Sequence, residues 1–100
     1  MSYQIVWSED AISDYHQNID YLLNNWPIYT AENFIEEVSH ILELIQKNPN
    51  LFPLSGYKQT KKAVIRGQIT LFYKIENEQI YLVRFWNNYR DPKKMQPGPY

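Results

Sequence analysis

Residues 84–94 read Arg-Phe-Trp-Asn-Asn-Tyr-Arg-Asp-Pro-Lys-Lys, an alternating apolar run that ends in cations, amides and aromatics. Guanidinium and ammonium groups neutralise phosphate or carboxylate charge, amides add neutral hydrogen-bond donors, and aromatic rings stack on bases or pack on apolar partners. Side chains just past a strand end are held by a rigid scaffold, which suits a site. The charge distribution points to the same half of the chain. Residues 1–50 carry one cation against eight acids, a balance of −7, while residues 51–100 carry nine cations against three acids, a balance of +6, within an overall charge of −1. A basic second half suits an anionic surface, and the plainer reading is that the two halves attract each other within the molecule.

Each cation also has a structural reading. Lys61 and Lys62 suit a solvated strand edge that resists aggregation. Arg66 precedes a turn and reads as a surface cation. Arg84 shares a strand with Leu82 and Trp86, so a pairing with a helix acid such as Asp14 is favoured over a functional role. Arg90 and Asp91 before Pro92 can form a local turn, and Trp86 reads as packing before base stacking. His16 and His40 lie on separate helices without metal-ligand spacing, so neither is read as a ligand or base. No Gly-rich phosphate loop or nucleophile triad is present, and the three glycines flank no strand-to-helix turn. The sequence therefore predicts no metal and no cofactor.

The elements that must position these groups follow from periodicity. Residues 3–7 alternate around Ile5 and Val6 and predict a first strand. Ser8 is placed to cap a helix with Glu9 and Asp10 in its first turn, and Ala11, Tyr15, Ile19, Leu22 and Trp26 make its apolar stripe up to Asn25 and Pro27. Thr30 is expected to cap a second helix, striped by Phe34, Val38, Ile41, Leu42 and Ile45 and stopped by Asn48 and Pro49. After a loop over 51–60 come three strand-like runs, 62–66, 69–75 and 79–86, joined by turns short enough for hairpins. In the last run Tyr81, Val83 and Phe85 are expected on one face, with Ile80, Leu82, Arg84 and Trp86 on the other. One sheet face should lie under helices and the other be partly open.

A length of 100 residues holds one core, with 44% hydrophobic and 16% aromatic residues to fill it. The reading is α+β: an N-terminal strand, an α-helical hairpin, then a three-stranded antiparallel meander, all in one twisted sheet. Residues 1–95 form the single domain and 96–100 a flexible C-terminal tail. The absence of cysteine excludes disulfides and thiolate chemistry. With no apolar run of membrane-spanning length, a cytoplasmic protein is expected.

This order of elements, with Trp7-Ser8-Glu9-Asp10-Ala11, Asn48-Pro49, Phe52-Pro53, Leu71-Phe72-Tyr73-Lys74-Ile75, Arg84-Phe85-Trp86 and Arg90-Asp91-Pro92, resembles the RelE/ParE toxin superfamily over nearly the whole chain. The resemblance implies the toxin of a type II toxin–antitoxin pair, neutralised by a cognate antitoxin, as a homodimer or in a toxin–antitoxin hetero-oligomer. Two activities occur in that superfamily. RelE-like members cut messenger RNA on the ribosome, which needs cations at the phosphate and a group that orients the ribose hydroxyl. ParE-like members bind DNA gyrase and need no proton transfer.

That resemblance carries over Lys62, Tyr89 and Arg90, with Tyr100 the sole candidate for a C-terminal tyrosine, and a nuclease here would use Lys62, Arg66, Tyr89 and Arg90 in a rearranged site. Val64 stands where a second lysine is expected and Thr70 where a central-strand arginine is expected; a hydroxyl cannot replace a guanidinium fork. The depleted cation set and near-neutral charge favour the ParE-like, gyrase-inhibiting branch. The alternatives are a ribosome-dependent endonuclease and a non-toxic module that retains only the antitoxin-binding surface.

Overall fold

The computed structural model describes residues 3–66 and 68–88. Its elements are β1 (Gln4–Trp7), α1 (Glu9–Asn25), α2 (Ile28–Lys47), β2 (Lys61–Arg66), β3 (Ile69–Glu76) and β4 (Gln79–Asn87). They form the expected α+β order, and the sheet runs β1-β4-β3-β2. The meander β2-β3-β4 is antiparallel, whereas β1 lies parallel to β4, pairing Gln4 with Gln79 through Trp7 with Leu82. The sheet is therefore mixed. The helical hairpin between β1 and the meander is the crossover that a parallel pairing requires.

Ser8 caps α1 as expected, its Oγ accepting from the Ala11 amide at 2.9 Å. The helix ends at Trp26, whose extended backbone (φ −139°, ψ 163°) is the conformation favoured before proline. The second helix starts earlier than Thr30 implied. Pro27 is its N-cap residue, with φ −57°, and the Thr30 amide already donates to the Pro27 carbonyl. Proline's fixed φ, suited to a helix start, outweighs the hydroxyl cap, so only Trp26 and Pro27 separate the helices. Asn48 ends α2 as read. Asn77 and Glu78 make the β3–β4 turn with φ of 52° and 62°, the left-handed pair of a tight hairpin.

Both helices cover one sheet face. Phe34, Val38, Ile41 and Ile45 of α2 and Ala11 and Leu22 of α1 pack on Ala63, Ile65, Ile69, Leu71, Tyr73, Ile80, Leu82 and Phe85. The α1 stripe differs from its expected apolar membership. Trp26 is exposed, while Asp14 and Asn18, one turn apart, are buried. Tyr73 sends its hydroxyl to the Pro49 carbonyl at 2.9 Å, and burial pushes its pKa up to about 12.

Two irregularities decide which face a side chain occupies. Phe72 pairs with Arg84 and Tyr73 with Leu82, so Val83 is an extra residue in β4. That bulge rephases the strand: Phe85 joins Ile80 and Leu82 under the helices, against the expected alternation. A second bulge at Ile65, between the Val64 and Arg66 pairings, does the same in β2.

Candidate functional site

The sheet face away from the helices carries two cross-strand rows, Lys62–Phe72–Arg84 and Val64–Thr70–Trp86. Tyr57 of the connecting loop lies edge-on to Phe72, with ring centroids 5.3 Å apart. The Arg84 guanidinium sits 5.5 Å from the Trp86 ring centre. Three positions that the family resemblance aligned with nuclease cations, those of Lys62, Val64 and Thr70, thus share one face. Only Lys62 carries charge, and neither row holds a carboxylate or imidazole.

Arg84 is committed to structure. Its Nε and Nη2 donate to Asp14 Oδ2 and Oδ1 at 2.6 and 3.0 Å, the fork-to-fork geometry of a strong ion pair. The hydrogen bonds to Asp14 raise the guanidinium pKa above its ordinary value. Asp14 Oδ2 also accepts from the Phe85 amide at 3.1 Å, Asn18 Nδ2 donates to the Phe85 carbonyl at 3.1 Å, and Ser8 Oγ donates to the Val83 carbonyl at 3.1 Å. Since β1 ends at Trp7, β4 has no neighbouring strand beyond Leu82 on that side among the described residues. Polar side chains of α1 take the missing strand's hydrogen bonds. The Arg84–Asp14 pairing was legible in the sequence; the roles of Ser8 and Asn18 were not, because a buried asparagine among apolar positions looks like a solvated one.

The two nuclease candidates among the described residues, Lys62 and Arg66, separate. Lys62 lies on the open face. The Ile65 bulge turns Arg66 to the helix side, where its Nη1 lies 3.6 Å from Glu37 Oε1. Arg66 thereby leaves the expected phosphate-facing set, drawn to an acidic helix. Tyr89, Arg90 and Tyr100 lie outside the described residues, as do 96–100. Tyr57 was not singled out in the sequence, since a lone aromatic in an irregular loop has no periodicity to announce its direction. No group of three His, Cys, Asp or Glu among the described residues could hold a metal, and no helix there is long and apolar enough to cross a membrane.

Comparisons with known proteins bear on this fold. The family model for the ParE toxin of the type II toxin–antitoxin system parDE matches residues 5–92. No curated protein sequence matches significantly. Among solved structures, a chromosomal ParDE system from P. aeruginosa superposes with a TM-score of 0.71 at 11% identity, covering 86% of this chain and 96% of that one. The heterotetrameric YoeB–YefM toxin–antitoxin complex from Staphylococcus aureus gives a TM-score of 0.57 at 17% identity, covering 85% and 95%.

Proposed function

The chain belongs to the ParE toxin family of type II toxin–antitoxin systems, and from that premise we propose that it arrests growth by binding DNA gyrase, without cutting RNA, until a cognate antitoxin covers it. The observation that carries this reading is the composition of the open face. Where an RNA-cutting relative would need a cluster of cations, this face has Val64 and Thr70, and Arg66 is turned away to Glu37. Of the three aligned positions only Lys62 offers charge at a phosphate, and an ammonium gives no means of taking a proton from a ribose hydroxyl.

An antitoxin partner is supported by the surface as well as by the relatives, one of which is a toxin–antitoxin heterotetramer. The apex of the helical hairpin presents Leu23, Trp26, Ile28 and Tyr29, each 45–66% exposed. Clustered large apolar side chains at a surface mark an interaction site.

The test is induced expression of the chain alone and together with the neighbouring antitoxin gene. Growth arrest relieved by co-expression, with gyrase supercoiling inhibited in vitro and transcripts intact, is the expected result. Cleaved transcripts with normal supercoiling would replace this reading with the endonuclease, and unimpaired growth would replace it with the non-toxic module.

A further inference from the structure

The apolar side chains at the hairpin apex are bordered by charge of one sign. Asp20 stands one turn before Leu23 on α1. On α2, Glu32 lies one turn after Ile28 and one turn before Ile35, and Glu36 lies one turn after Glu32. Residues so spaced are neighbours on a helix surface, so each acid adjoins an apolar side chain or another acid. All three acids are exposed, as is Ile35.

Few cations balance them. α1 contains no lysine or arginine, and α2 contains only Lys47, about 27 Å along the helix axis from Tyr29 at 1.5 Å per residue. Arg66 reaches the shallow hollow lined by Asn33, Glu36, Glu37 and His40, but its guanidinium is paired with Glu37, which leaves two carboxylates there to one guanidinium. Asp20 and Glu32 make no ion pair among the described residues. A helix that meets only water is commonly laced with both signs, whereas Glu32 and Glu36, like charges one turn apart, weaken the helix that carries them.

We infer that the apex is covered by a cationic amphipathic segment of the antitoxin, its apolar anchors seated on Leu23, Trp26, Ile28 and Tyr29 and its lysines or arginines against Asp20, Glu32 and Glu36. The inference rests on the antitoxin reading above and adds the chemistry of the contact. An apolar centre with a charged rim is the anatomy of a protein interface, and the sign of the rim selects the partner. Nucleic acid and anionic lipid are repelled by these carboxylates, and helices that lie on membranes carry cations on their polar face instead. A second copy is disfavoured in both possible arrangements. Apex against apex sets like carboxylates together, and apex against the basic half of another copy is a head-to-tail contact, which forms a closed assembly only if the rotation closes a ring.

The test titrates the product of the neighbouring antitoxin gene into the full chain by calorimetry at about 0.1 M and about 1 M salt, between which the Debye length falls from about 10 to about 3 Å. Native affinity should fall as salt rises. The variant Asp20→Asn/Glu32→Gln/Glu36→Gln should bind about tenfold more weakly at the lower salt, the effect of three exposed ion pairs lost together, and should respond little to salt. Glu76→Gln/Glu78→Gln, at the β3–β4 turn, should change affinity less than about twofold. Ile28→Ser should weaken binding about tenfold at both salts. An unchanged melting midpoint in each variant separates a lost contact from a lost fold. Native affinity and salt response in the triple variant would overturn the inference while the antitoxin reading stands, and tighter binding would do the same in favour of an acidic partner. Self-association of the chain alone, abolished by Ile28→Ser in light scattering, would assign the apex to a second copy. An antitoxin that does not bind the native chain would overturn the inference and the antitoxin reading together.

Discussion

The arginine of β4 and the lysines at the start of β2 handle positive charge in opposite ways. Along β4, Arg84 is gripped by Asp14, and Ser8, Asp14 and Asn18 complete the strand's hydrogen bonds. Along β2, Lys61 and Lys62 project from an edge strand whose support comes from the loop beneath, through the Lys62 amide to Pro53 and the Ser55–Thr60 bonds. The difference is one of partners. A cation inside a hydrogen-bonded frame contributes to folding, and the acids it needs come from the helices; a cation without such a partner remains available to an external anion.

The contrast is broken most severely at Asp14. Asp14→Ala leaves a partly buried guanidinium and a buried amide without acceptors, so urea denaturation should show a loss of about 2–4 kcal/mol. Replacing the pair, Asp14→Leu with Arg84→Met, should recover more than half of that loss, because no charge is then stranded. Asn18→Ala removes the donor to the Phe85 carbonyl and should cost about 1–3 kcal/mol in the same assay.

Titration probes the other side of the sheet. Tyr73 anchors the loop at Pro49, and its pKa is raised to about 12 by burial. A raised pKa means that the unfolded chain loses this proton first. The contribution is complete below pH 10 and is lost as pH climbs from 10 through 12, with a slope of up to about 1.4 kcal/mol per pH unit. Tyr73→Phe should flatten that part of the stability profile. At the small end, Lys62→Gln on the unpaired edge should move stability by less than about 0.5 kcal/mol. A larger loss would mean that Lys62 is engaged in the fold, and the contrast between arginine and lysine would fail.

Much of this architecture was legible in one dimension. The Ser8 cap, the α2 stripe, the stop at Asn48, the three strand runs and the Asp14–Arg84 attraction all arise from local periodicity or from complementary charges on facing elements. Where Thr30 was expected to start α2, a competing local signal, Pro27, prevailed. For the candidate site the sequence located the cations in the second half but did not give the faces they occupy. Phe85 and Arg66 both sit on the helix side, opposite to or apart from their expected companions, because one extra residue in β4 and one in β2 reverse the alternation.

The order of the elements, their hydrophobic stripes and the division of charge between the halves were determined by the chain itself, since each depends on neighbours a few residues away. Which cations meet acids and which carbonyls of β4 need side-chain donors were decided only by tertiary pairing. A bulge or a parallel register is a relation between distant strands, and no local pattern of side chains encodes it.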